Sequence, residues 1–165
     1  MQLQEMSDRL EIQDVLARYS NAIDTMQWDQ LDALFTEDAD IDYTSMGGIR
    51  GTLAEQKAFL EQNLPTIFQR GFQHLAATTL FDIDGDTARI RTICFNPMVL
   101  EDTKHVLFCG MWYQDTLVRV DGRWRISTLE PLSFGKRHEQ DGVRDRDADR
   151  HDRAHERLDV HARPG

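Results

Sequence analysis

Helical periodicity dominates this chain up to Pro65, and strand alternation takes over after Gly71. Apolar residues fall at Ile12, Val15, Leu16, Tyr19, Ala22, Ile23 and Met26, the i, i+3, i+4, i+7 spacing of an amphipathic helix. Ser7 and Asp8, with Glu11 soon after, supply the acidic start expected of its first turn. Asp29 to Phe35 reads as a short second helix, and Ala39 to Tyr43 as a first strand. Thr52 caps a third helix, with Glu55 in capping-box register, and Pro65 is expected to stop it. Phe72 to Ile83, Thr87 to Phe95, Val106 to Val120 and Arg123 to Leu129 then read as strands. Asp84-Gly85 and Asp121-Gly122 are the hairpin turns between them, and Asn96-Pro97 is expected to interrupt the second strand. Helices segregated from strands predict an α+β fold, with N-terminal helices on one face of a curved, mixed, mostly antiparallel sheet. Such a sheet covered by helices leaves a cone-shaped cavity, the default ligand site.

Residues 1–135 are expected to form this single domain. Residues 136–165 carry charges of both signs and few large apolar side chains, a tail that cannot order itself alone. The net charge is −10, and the eight basic and eight acidic residues from Lys136 onward cancel, so the folded part carries all of it. An acidic body repels phosphate backbones, which argues against nucleic-acid binding. No apolar run reaches the roughly 18 residues of a membrane span, and the polar N-terminus resembles no secretory signal. Cys94 and Cys109 sit in apolar strand-like runs as free buried thiols, which suits a reducing cytoplasm.

The chemistry-bearing candidates are few. Asp24 lies at the edge of the first helix's apolar stripe, about 100° around from Ile23. That position suits either a solvated flank or an acid aimed into a cavity. His74 stands among apolar strand residues, as a satisfied core side chain or as a base. A carboxylate bonded to one imidazole nitrogen fixes the tautomer and stabilises the imidazolium, which leaves the other nitrogen free to take a proton. Tyr19 and Tyr43 can aim phenols at a substrate oxygen. Asn96 can donate its amide to an oxyanion. Met98, Trp112, Tyr113 and Phe95 suit an apolar wall or plain core packing. His151 and His155 stand at helical spacing without the glutamate of a metalloprotease motif, so no metal site is expected. No GxSxG, Walker A or GxGxxG motif occurs, so no nucleophile elbow or nucleotide cofactor is expected.

Three stretches in order, EIQDVLARYSNAIDTMQWDQLDALFTEDADIDY, FQHLAATTLFDIDGDTARIR and YQDTLVRVDGRWRISTLEP, resemble the SnoaL-like group of the NTF2-like superfamily. The pattern is similar to that of scytalone dehydratase and hexachlorocyclohexane dehydrochlorinase. The resemblance implies a cone-shaped barrel, oligomeric through its sheet face as a homodimer or homotrimer. It also implies a cofactor-independent lyase or isomerase acting on a small hydrophobic, cyclic molecule. The aspartate–histidine pair of those enzymes falls on Asp24 and His74. Gln73-His74 and Ile41-Asp42-Tyr43 match further steps of the dehydratase. Ile23 and Met98 stand where that enzyme has a second tyrosine and a second histidine, so scytalone is not the expected substrate. A non-catalytic binding or assembly domain of the same fold is the alternative, because fold alone fixes little of function.

Overall fold

A computed structural model of the chain describes residues 2–67, 71–99 and 106–133, and the expected charged tail lies outside them. Two helices, α1 (Leu3–Asp24) and α2 (Leu53–Ile67), accompany six strands: β1 (Phe35–Asp42), β2 (Arg50–Gly51), β3 (Leu75–Asp84), β4 (Thr87–Val99), β5 (Val106–Val120) and β6 (Arg123–Ser133). The strand order is β2-β1-β6-β5-β4-β3. Every pairing is antiparallel except β1 against β6. The fold is the expected α+β cone, built from an open sheet and its covering helices and not from a closed barrel.

The stripe predicted for α1 is the one it buries. Ile12, Val15, Leu16, Tyr19, Ala22 and Ile23 enter a core shared with Ala88, Ile90, Leu117 and Ile126. Each fully buried aliphatic side chain of this kind contributes about 1.5–3 kcal/mol. The helix begins at Leu3 and not near Ser7, because side-chain pairs extend it over the polar first turns: Gln4 to Asp8 at 3.0 Å and Arg9 to Glu5 at 2.8 Å. At the other end of the core Asp8 is buried yet accepts from Gln4, Arg119 and Trp124 Nε1, which ties α1 to β5 and β6.

Four local expectations change. The second helix is a 3-10 segment, Trp28–Ala33, which buries only Leu31. The first strand begins at Phe35, earlier than Ala39, because Phe35 already pairs in parallel with Ile126 of β6, and the register shifts across Thr36 to Ala39 before pairing resumes at Asp40. Pro65 lies inside α2; the carbonyl it leaves unpaired belongs to exposed Glu61, where water can satisfy it. Asn96-Pro97 does not break β4, which continues to Val99. The continuous β3 ladder ends at the Leu75–Phe95 pair, and beyond it only the isolated Phe72–Met98 bridge continues, so the missing N–H of Pro97 costs a single bond at the ladder's end. The Pro97 carbonyl on that side accepts from Gln73 N–H at 3.2 Å.

Three devices place the loops over the open end of the sheet. Thr52 and Glu55 form the predicted capping box, with Thr52 N–H donating to Glu55 Oε2 at 2.8 Å. Buried Gln56 on α2 donates to the carbonyls of Ile41 and Ile49 at 3.0 and 2.9 Å, which pins the helix across β1 and the following loop. Gly48 lies directly on Tyr43, since a Cβ there would meet Tyr43 Cβ at 2.7 Å. The absence of a side chain at 48 lets the loop hold the Tyr43 ring against the cavity.

Candidate active site

The open end of the cone holds a cavity of about 340 Å³, lined by α1, α2 and the inner faces of β4 and β5. Its walls are apolar, from Ile23, Phe59, Leu60, Leu64, Phe72, Met98 and Met111 among others, and among the described residues no lysine or arginine lines it. Two polar constellations interrupt that lining.

The first is the pair expected from sequence. Asp24 is the last residue of α1, and His74 lies just before β3. His74 Nδ1 stands 2.6 Å from Asp24 Oδ1, and the His74 backbone N–H also donates to the carboxylate at 2.9 Å. Asp24 sits at the negative end of the helix dipole with no basic residue in the last turn, and the His74 ring and backbone N–H are its hydrogen-bond partners. The Phe72 ring packs edge-on against the imidazole at 6.0 Å. His74 Nε2 is 3.1 Å from Asn96 Nδ2. An amide nitrogen can only donate, so Nε2 is the unprotonated nitrogen and Nδ1 carries the proton toward Asp24. Asp24 also lines a separate open groove between α1 and β3, with Gln13, Ser20 and Thr78. The acid thus faces that groove while His74 reaches the cavity as well.

The second constellation was only half legible beforehand. The chain has three tyrosines, and all three meet at the cavity. The Tyr43 hydroxyl bridges those of Tyr19 and Tyr113, the latter at 3.3 Å. Burial pushes the Tyr43 phenol up to about 12. Burial, and then the neighbouring Tyr43, push Tyr19 and Tyr113 well above the ordinary phenol range. All three stay protonated at neutral pH and keep a proton to donate.

Behind them on β5 lies Asp115, which the sequence reading passed over. Its carboxyl is buried, and neither oxygen has a well-formed hydrogen bond. Burial pushes it up to about 8, with a small offset from the adjacent Glu130 backbone. The legible signal was an acid inside the apolar alternation Met111, Tyr113, Asp115, Leu117. Trp112 is a correction. It falls on the outer face of β5, where the Arg91 guanidinium lies 4.6 Å above its ring, and it does not line the cavity. Phe95 also faces outward, stacked on Phe108 at 5.6 Å. Tyr19, Tyr43, Asn96 and Met98 line the cavity with His74. Among the described residues no three His, Cys, Asp or Glu side chains converge as a metal-ligand set, and the expectation for His151 and His155 lies outside those residues. No described helix is long and apolar enough to cross a membrane.

Several known proteins share this architecture. An uncharacterised protein of Mycobacterium tuberculosis (strain H37Rv) is 48% identical over 126 residues, covering 74% of this chain and 82% of its own. The crystal structure of the Kfla4162 protein from Kribbella flavida matches with a TM-score of 0.70 at 21% identity, over 82% of this chain and 95% of that one. A candidate scytalone dehydratase of Novosphingobium aromaticivorans matches at 0.69 and 24% identity, over 85% and 91% of the two chains. A type 2 hexachlorocyclohexane dehydrochlorinase, LinA, matches at 0.69 and 18% identity, over 86% and 99%. The structural likenesses establish a common fold. The sequence match to the SnoaL-like domain over residues 4–130 goes further, and it makes this chain a member of the SnoaL-like domain family.

Proposed function

We propose that this protein is a cofactor-independent lyase or isomerase acting on a small, neutral, hydrophobic cyclic molecule. The observation that carries the reading is the 2.6 Å contact of Asp24 with His74 Nδ1, on a ring that lines an apolar cavity. In this reading His74 Nε2 takes a proton from a carbon beside a carbonyl or a leaving group. The released electron pair forms the new double bond. In an elimination it expels hydroxide or halide from the neighbouring carbon; in an isomerisation the imidazolium returns the proton at another carbon. Asp24 stabilises the imidazolium throughout. The Tyr43 hydroxyl, buttressed by Tyr19 and Tyr113, donates to the oxygen that gains charge. Walls that are apolar and, among the described residues, without lysine or arginine suit an uncharged substrate.

The test is hydrogen–deuterium exchange at carbon. Neutral cyclic ketones and their β-hydroxy and β-halo derivatives, incubated with the protein in D₂O, should lose an activated C–H signal by NMR. The His74→Gln variant should lose that exchange by about 10²–10⁴-fold while keeping its fold. Equal exchange in both proteins would remove the acid–base reading. A second reading, a non-catalytic small-ligand-binding domain, is favoured by the Asn96 amide that occupies Nε2 at rest. Ligands that bind without exchange would decide for it.

We further propose that the chain forms a homodimer or homotrimer through the outer face of its sheet. Leu75, Leu80, Ile93, Phe95 and Phe108 leave a broad apolar surface exposed there. Light scattering should give a multiple of the chain mass that Phe108→Glu reduces. Free thiols at Cys94 and Cys109 suit a reducing cytoplasm.

A further inference from the structure

We infer that Asn96 is a positioning residue for His74, an amide that donates to Nε2 at rest and turns over to accept from it once the ring is protonated. The inference rests on the acid–base reading above and concerns the same histidine. Three observations carry it. Asn96 Nδ2 lies 3.1 Å from His74 Nε2, so at rest the amide covers the lone pair that a substrate proton must reach. Asn96 is only 5% exposed, and its Oδ1 is buried with no hydrogen-bond partner among the described residues. β4 holds the residue rigidly, paired with Cys109 across the β4–β5 ladder, and leaves the side-chain torsions as its freedom.

An orphaned buried carbonyl costs about 1–3 kcal/mol. The resting site carries that cost. When Nε2 gains a proton it becomes a donor facing a donor, which is repulsive. A half-turn of the terminal amide removes the second fault, because oxygen and nitrogen are nearly equal in size and this torsion is broad; the NH2 then takes the buried place the carbonyl held. Oδ1 then accepts from Nε2–H, a charge-assisted bond stronger than the neutral one it replaces. The amide therefore favours the imidazolium over the neutral ring.

Other titratable groups stand nearby. Asp24 on α1 contacts the ring, Cys94 on β4 lies close to Asp24, and Cys109 on β5 and the three phenols share the cavity. Asp24 and Asn96 are the side chains that hydrogen-bond the ring itself.

The test uses the full chain without any ligand, so it is independent of whether a substrate is ever found. NMR follows the His74 ring, assigned by its loss in His74→Gln, and the Asn96 side-chain amide, assigned by its loss in Asn96→Leu. The wild-type amide signals should move with the same midpoint as the His74 ring. In Asn96→Leu the ring should take up its second proton at a pH lower by about half to one unit. A fixed amide would give the opposite sign, since removing a trapped donor eases protonation. A raised or unchanged midpoint in Asn96→Leu overturns the inference, as do amide signals that ignore the His74 transition. If Asn96→Leu does not fold, Asn96→Ser serves for the amide assignment, and the wild-type amide titration decides the matter. Loss of exchange activity alone would bear on the proposed reaction and not on this result.

Discussion

Asp8 and Asp115 are both buried carboxyls on the inner side of one sheet, and their surroundings have driven them in opposite directions. At the closed end, burial alone would raise Asp8, but donors from Arg119, Gln4 and Trp124 outweigh it and hold the carboxyl below its ordinary range. At the open end, Asp115 has no such donors and burial pushes it up to about 8. The closed end satisfies Asp8 and uses it to fasten α1 to β5 and β6, although Thr36 Oγ1 and Arg125 Nε are buried nearby without partners among the described residues. Toward the open end, Asp115 and Asn96 Oδ1 are buried without side-chain partners among the described residues, beside three phenols bonded to one another. Unsatisfied groups destabilise a fold, and one beside a cavity can be satisfied by a ligand or a proton.

The comparison breaks most readily at Asp24. Asp24→Asn keeps the shape and removes the charge that stabilises the imidazolium, so proton exchange on an active substrate should fall by about 10²–10³-fold. An exchange rate within a factor of two of wild type would mean that the open end does not use its acid. At the closed end Asp8→Ala should leave exchange untouched and lower the unfolding free energy by about 2–3 kcal/mol, because Trp124 Nε1 and Arg119 lose their acceptor. Denaturant titration checks this. The deficit should shrink as pH falls below about 4, where the unfolded carboxyl is protonated. A smaller effect is expected at Tyr43, whose hydroxyl bridges the other two. Tyr43→Phe should slow exchange about 10-fold with little change in melting temperature.

Asp115 gives the smallest effect and the most informative sign. Its folded value of about 8 lies above the ordinary carboxyl value of about 4. Between those limits the folded chain holds a proton that the unfolded chain has released, so this group's stabilisation is lost as pH rises through the window. Asp115→Asn removes the dependence. The variant should melt a few degrees higher than wild type at pH 8, with the gap narrowing toward pH 5, in scanning calorimetry. A gap that widens toward acid would show that Asp115 is paired and charged, and the contrast with Asp8 would disappear.

The residues by themselves determined the parts of this molecule that depend on near neighbours. The α1 stripe, the Thr52–Glu55 capping box and the Asp-Gly hairpins are set by interactions across a few positions, and each was readable from spacing. The Asp24–His74 pairing came from the family resemblance, since no local pattern links positions fifty apart. Strand parity was beyond local reading. Both faces of β5 are apolar, Phe108 and Trp112 on one side and Met111 and Tyr113 on the other, so alternation alone could not tell that Trp112 points away from the cavity. Pro97 read as a break because the end of the β3 ladder at Phe95, which limits a proline's cost there, is a property of the paired sheet. Asp115 was visible as an acid in an apolar run, but its lack of donors is decided by side chains on other strands. Periodicity is a local quantity. A shared cavity is fixed by register and packing between segments far apart in the chain, and only the tertiary structure sets those.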